Sequence, residues 1–190
     1  HMEQREFLEI LSVAERLKDT MRHSYTSGGR RESVAEHSWR LALMAMLLKE
    51  VFPNDDMDKV IRMCLIHDLG EAFTGDIPAF LKNPEDSGKE SDIFRNWAAG
   101  LPQDLAPVIT SLWDEMEAQK TREARIYKAL DKLEALIQHN EADIKTWLPL
   151  EYSLQRTYGT EECRFDPYIS ELRAEVLRDS ERKIEEKQHE

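Results

Sequence analysis

Apolar residues recur at three- and four-residue steps through most of the chain. No stretch sustains the two-residue alternation that a half-buried strand requires, so the pattern predicts an all-α fold. Phe7, Leu8, Leu11, Ala14 and Leu17 fall on one side of a first amphipathic helix over residues 4–19. Ser27, Gly28 and Gly29 break the period and predict a loop. The next helix starts at Ser33. In Ser33-Val34-Ala35-Glu36 the hydroxyl accepts from the amide three residues on, and the Glu36 carboxylate reaches back to the Ser33 amide. Val34, His37, Leu41, Met44, Leu48 and Val51 then follow at helical spacing, which turns His37 inward in the first turn.

Pro53-Asn54-Asp55 separates this helix from a third, whose buried side is predicted as Met57, Val60, Ile61, Cys64 and Leu65 and whose end carries His67-Asp68. Gly70, Gly75 and Pro78 make Gly70 to Phe80 an ordered loop, and residues 82–92 are polar enough to predict a mobile excursion. Further helices are expected over 92–99, 104–118 and 121–142. In the last of these Ile126, Leu130, Leu133 and Ile137 form the apolar stripe, with Asp131 at its edge. Residues 147–158 read as turns and a short helix. Pro167 precedes a final charged helix whose polar end, from Asp179, is expected to fray. The organisation expected is one helical domain over 3–178 and a polar tail over 179–190.

A length of 190 residues suits a single domain of that kind. The formal net charge of -12 disfavours a nucleic-acid polymer as partner, since the surface repels it. A small anionic substrate remains compatible with a cleft in which a metal ion and arginines reverse the local potential, and Arg22, Arg30 and Arg31 lie just upstream of His37. Cys64 and Cys163 form no CxxC pair, which fits reduced thiols and a cytoplasmic location. The apolar run from Leu41 to Leu48 is bounded by Arg40 and Lys49 and is far too short for a membrane span; no secretory leader is expected either. His1-Met2 has the form of a tag remnant, so His1 is left out of the candidate ligands.

The chemistry is carried by His37, His67, Asp68 and Asp131, two imidazoles and two carboxylates set in apolar helical patterns where an unpaired polar group is costly to bury. A lone inward histidine is more often a hydrogen-bonded core residue than a ligand. Four such groups on three helices, one of them an aspartate beside a leucine stripe, call for a cation. A His2Asp2 set completed by water suits six-coordinate Mn, Co, Fe, Ni or Mg better than a closed tetrahedral zinc.

This order, His37, then His67-Asp68, then Asp131, resembles the H…HD…D pattern of the HD-domain metal-dependent phosphohydrolases. Ser-Val-Ala-Glu-His and His-Asp-x-x-Glu-x-x-x-Gly-Asp-x-Pro are similar to the motifs of the YfbR-type 5'-deoxynucleotidases and their eukaryotic HD-domain relatives, over roughly residues 7–160. The resemblance implies a helical bundle in which His37, His67, Asp68 and Asp131 hold one divalent metal and Glu71 is the catalytic carboxylate. It implies substrate contacts from Arg22 and the adjacent His23, and from Asp76 with the neighbouring Ile77, Pro78 and Ala79, and a homodimer. Arg30 and Arg31 have no counterpart and read as surface residues. Where the deoxynucleotidases follow the arginine with tryptophan, this chain has His23, which leaves the sugar preference open. No histidine lies between Asp68 and Asp131, so a mononuclear site is expected, and His139 reads as a helix-surface or dimer-contact residue.

The function expected on these grounds is metal-dependent removal of phosphate from (deoxy)nucleoside 5'-monophosphates by an activated water. Two alternatives remain at this point: a phosphodiester or pyrophosphate hydrolase of a signalling nucleotide, and a non-catalytic metal-dependent nucleotide sensor.

Overall fold

Most helices of this chain begin where a side chain or a proline answers the unpaired amides of the first turn. The computed structural model describes residues 1–190, with ten α-helices, two short strands and two 3-10 turns. It divides into two compact units, one comprising His1–His23 and Ser33–Tyr127, the other Ser24–Glu32 and Lys128–Glu190.

In the first unit, α1 (Gln4–Glu15) runs into a 3-10 turn, Arg16–Lys18, that buries Leu17. α2 (Val34–Leu47) has the expected capping box: the Glu36 amide donates to Ser33 Oγ at 3.2 Å and the Ser33 amide to Glu36 Oε1 at 2.8 Å. α3 (Met57–Ile66) is capped by Asp56, which accepts from the Lys59 amide at 3.0 Å, and packs along α2. Val34, Leu41, Ala45, Met57, Val60, Met63 and Cys64 make this interface a core, each large side chain contributing about 1.5–3 kcal/mol. The buried face of α3 differs from the expected one, because Val60, Met63, Cys64 and His67 form the i, i+3, i+4, i+7 stripe and leave Leu65 50% exposed. That phase carries His67 inward.

The expected loop from Gly70 contains one helical turn, α4 (Glu71–Thr74), which ends at Gly75 with φ 75°. The excursion expected over 82–92 is instead the beginning of α5 (Pro84–Ala99). Asn83 Oδ1 accepts from the Asp86 amide at 2.9 Å and Asp86 accepts from the Asn83 amide at 3.2 Å, with Pro84 at the first helical position. The polar residues occupy its solvated side while Phe94 and Ala98 are buried. α6 (Ala106–Ala118) packs on α5, with the Trp113 and Phe94 rings 4.2 Å apart. α7 (Arg122–Glu141) begins in this unit and continues into the second.

The hairpin β1 (Met21–Tyr25) and β2 (Arg31–Ser33) corrects the expectation of no strand. Strands of five and three residues are too short to show a sustained period, and the loop expected at Ser27-Gly28-Gly29 is their turn, with Gly29 at φ 91°. In the second unit the Gln138 side-chain amide donates to the Tyr25 carbonyl at 2.8 Å, tying the hairpin tip to α7. α8 (Pro149–Thr157), α9 (Thr160–Cys163) and α10 (Pro167–Gln188) complete the unit. The buried Gln155 amide donates to the Leu136 carbonyl, Asn140 Oδ1 and Ser180 Oγ, a polar knot joining α7, α8 and α10. α10 is helical through Gln188, with Ser180 and Ile184 buried. No helix is long and apolar enough to cross a membrane.

His139 is not a surface residue, in contrast to the expectation from its position. Trp147 folds back on α7, stacks on the imidazole at 4.3 Å and donates its indole N–H to the His139 carbonyl at 2.9 Å. Glu151 Oε2 lies 3.4 Å from His139 Nε2.

Candidate metal and phosphate site

The first unit brings His37, His67 and Asp68 together. His37 is fully buried in the first turn of α2, and His67 is buried at the end of α3. Their Nε2 atoms are 3.3 Å apart, and Asp68 Oδ2 is 2.9 Å from His67 Nε2 and 3.8 Å from His37 Nε2. Two ring nitrogens at that separation share at most one proton, and the carboxylate faces both. Three electron-rich atoms therefore point at one place, which is the donor set that a divalent cation satisfies.

The Tyr127 ring meets the His67 ring edge-on at 5.7 Å. Asp131 is half-buried on α7 in the second unit, four residues beyond Tyr127 and hence on the same helix face.

Glu71 is buried at the first position of α4, and its Oε2 has no hydrogen-bond partner. Burial, with Asp68 and Asp76 adding repulsion, pushes its carboxyl up to about 9, against the opposing pull of Arg22 and Lys82. Asp76 is also pushed up, first by burial and then by Asp68, with Arg22 and Lys82 working the other way. A buried carboxylate with a bare oxygen beside a cation-seeking cluster is suited to hold a water.

Arg22, on β1, reaches toward this group, with Nη1 3.9 Å from Asp68 Oδ2. The adjacent His23 meets Phe80 edge-on at 5.5 Å. Asp76, Ile77 and Pro78 are half-buried in the segment after Gly75, and Ala79 is exposed. Arg30 and Arg31 are exposed in the hairpin turn and strand, as expected.

Two residues of this neighbourhood were not foreseen. Lys82 lies in the stretch predicted to be mobile, so nothing in the sequence tied it to the acidic groups it faces. Tyr127 is marked in the sequence by its i, i+4 relation to Asp131. A groove of about 310 Å³ between α7 and α10, lined by Ile137, Val176 and charged side chains such as Arg182, contains none of the expected site residues.

Comparison with known proteins bears on this geometry. The 5'-deoxynucleotidase HDDC2 of Homo sapiens is 33% identical over 180 residues, covering 90% of this chain and 86% of that protein. The solved structure of a predicted metal-dependent phosphohydrolase from Magnetospirillum magnetotacticum MS-1 matches with a TM-score of 0.81 at 27% identity, over 94% of this chain and 93% of the other. A cyanophage S-2L HD phosphohydrolase bound to dA and one catalytic Zn2+ ion shares the fold, with a TM-score of 0.57 at 22% identity over 98% of each chain. The family model described as HD domain runs from residue 14 to residue 173, through parts of both units, and on that match the chain belongs to the HD-domain family.

Proposed function

We propose that this protein is a metal-dependent phosphomonoester hydrolase that removes phosphate from (deoxy)nucleoside 5'-monophosphates. The observation that carries the reading is the convergence of His37 Nε2, His67 Nε2 and Asp68 Oδ2 beside the buried, unpartnered Glu71 Oε2. The family relationship and the names of the relatives support it.

His37, His67, Asp68 and Asp131 would hold one divalent ion. For Asp131 the support is its place one turn beyond Tyr127, whose ring meets His67 edge-on. When bound, such an ion lowers the pKa of water and neutralises charge developing on phosphorus. With a bound cation offsetting the burial and carboxylate repulsion that otherwise keep it protonated, Glu71 would ionise, orient the attacking water and take its proton. The water oxygen bonds to phosphorus, the P–O5' bond breaks, and the nucleoside oxygen leaves with the bonding pair and takes up a proton from solvent, while the proton held by Glu71 returns to solvent before the next turnover. Arg22 pairs with the phosphate through its guanidinium. Asp76, with Ile77, Pro78 and Ala79, holds the sugar, and His23 against Phe80 forms the neighbouring wall.

A panel of ribo- and deoxyribonucleoside 5'-monophosphates, assayed for phosphate release with Mn, Co, Fe, Ni or Mg, tests the reading. Turnover of at least one monophosphate is expected with metal and none after chelation. Absence of turnover with every metal and nucleotide overturns it. The proposal extends to a homodimer in the cytoplasm, which light scattering and fractionation would check.

A further inference from the structure

Arg22 and Lys82 both oppose the repulsion that Glu71 and Asp76 feel from their carboxylate neighbours. Only the first had a role expected for it. Lys82 is held on both sides of its Cα. Its backbone amide donates to the Pro78 carbonyl at 3.1 Å, and the Leu81 amide donates to the same carbonyl at 2.8 Å, so the residue continues the Asp76–Ala79 segment. Its ammonium donates to Glu90 Oε2 on α5 at 2.8 Å. α5 is itself pressed against the turn between Asp68 and Glu71: a Cβ on Gly70 would stand 3.5 Å from the Glu90 carbonyl oxygen.

The Lys82 side chain is three-quarters buried. Burial works against its charge, but Glu90, Glu71 and Asp68 outweigh that effect and hold its pKa above the ordinary lysine value. The ammonium is thus a fixed positive charge. An ammonium has three N–H donors and Glu90 engages one of them, so two remain for an anion.

We propose that Lys82 is a substrate-binding residue, its ammonium anchored by Glu90 and donating to a phosphate oxygen of the monoester. This rests on the phosphomonoesterase reading of the site. A phosphate dianion entering among Asp68, Glu71 and Asp76 meets three carboxyl groups, and beside the ion and Arg22 the Lys82 ammonium adds a further positive charge from the segment assigned to the sugar. Glu90 is a positioning residue: it keeps the lysine stem folded toward the carboxylates instead of into solvent.

The test compares wild type, Lys82→Met, Lys82→Arg and Glu90→Gln, all metal-loaded. The KM for nucleoside monophosphate and the inhibition constant of inorganic phosphate are measured, together with phosphate binding by calorimetry. Lys82→Met is expected to raise KM and weaken phosphate binding roughly 10- to 100-fold, the range for a hydrogen bond to a charged group. kcat should stay within about threefold of wild type, because the contact is present in ground and transition states alike. Lys82→Arg should recover most of the affinity, and Glu90→Gln should cost a smaller factor of roughly two to five. A purely structural role would lower thermal stability and would not separate KM from kcat. An active wild type whose KM and phosphate affinity are unchanged in Lys82→Met overturns the Lys82 assignment and leaves the phosphomonoesterase reading standing. A wild type that turns over no monophosphate overturns that reading, and phosphate calorimetry then decides Lys82 alone: lost affinity in Lys82→Met supports it, and equal affinity overturns it.

Discussion

His67 Nδ1 lies 2.7 Å from the carbonyl oxygen of Cys64, one turn earlier on α3. A carbonyl oxygen only accepts, so the neutral ring carries its proton on Nδ1 and leaves the Nε2 lone pair directed at His37 and Asp68. The backbone of α3 therefore sets the tautomer of this ring and aims it before any ion binds.

Metal binding should consequently stabilise the folded protein. At a free ion concentration about 100 times Kd, one site adds about 2.7 kcal/mol. Differential scanning fluorimetry is expected to show the wild-type midpoint rising with Mn or Co and falling with EDTA. In His67→Ala the midpoint should respond to neither. A wild-type midpoint that ignores both metal and chelator counts against a bound ion.

Glu71→Gln separates ion binding from water handling. The substitution keeps the shape of the side chain and removes the base, so one ion per chain should still bind. Phosphate release should fall by roughly 10²- to 10⁴-fold, the usual contribution of a general base. Elemental analysis of the purified variant and a phosphate-release assay read the two effects independently, and near-wild-type turnover would remove Glu71 from the mechanism.

The helical residues of the site were legible because helical spacing and chemistry coincide there. Val34, His37 and Leu41 share a face, and the Ser33–Glu36 box fixes where that face begins. The His-Asp pair stood out as polar residues ending an apolar run. What escaped was short or capped in less familiar ways. Strands of five and three residues carry no period, and the Asn83–Asp86 cap converts a polar stretch into the start of α5. Lys82 and Glu90 meet only once that helix forms, so their pairing has no local signature in the sequence. His139 shows the same limit from another direction, since its burial depends on Trp147 folding back from eight residues away.

Glu71 should also leave a mark on the pH dependence of stability. Its carboxyl titrates at about 9 in the folded chain, against about 4.3 for a glutamate in an unfolded chain. The folded state then holds a proton that the unfolded state releases, so this contribution is complete below the unfolded value and is lost as pH rises through the folded one. In metal-stripped protein, urea titrations between pH 5 and pH 9 should show the wild type losing stability relative to Glu71→Gln as pH rises. A constant difference across that window would mean that Glu71 ionises normally.

Neither cysteine should react in the native state. Cys64 and Cys163 are buried, and burial pushes the Cys163 thiol up to about 11, so little thiolate forms at pH 8. Titration with a thiol-reactive disulfide at pH 8 is expected to release almost nothing from the folded protein and two equivalents in denaturant. Prompt reaction of one thiol in native protein would show that its surroundings open readily.

Gly159 joins α8 to α9 at φ 78° and presses on α7, where a Cβ added to it would stand 3.0 Å from Lys132 Cβ. That atom is next to the backbone and cannot swing aside as the tip of a lysine would. Tyr158 further holds Lys132, accepting from its ammonium at 3.0 Å, so the helix is clamped one residue from Asp131. Gly159→Ala combines a left-handed backbone penalty with this clash and should cost about 1–3 kcal/mol in chemical denaturation. If Asp131 is a ligand, displacement of α7 at this point should weaken metal affinity as well. Removing the opposing Cβ in Gly159→Ala/Lys132→Gly should relieve the clash while keeping the backbone penalty, so the two changes will be less than additive. Strict additivity would show that φ alone, and not the contact with α7, is what requires glycine here.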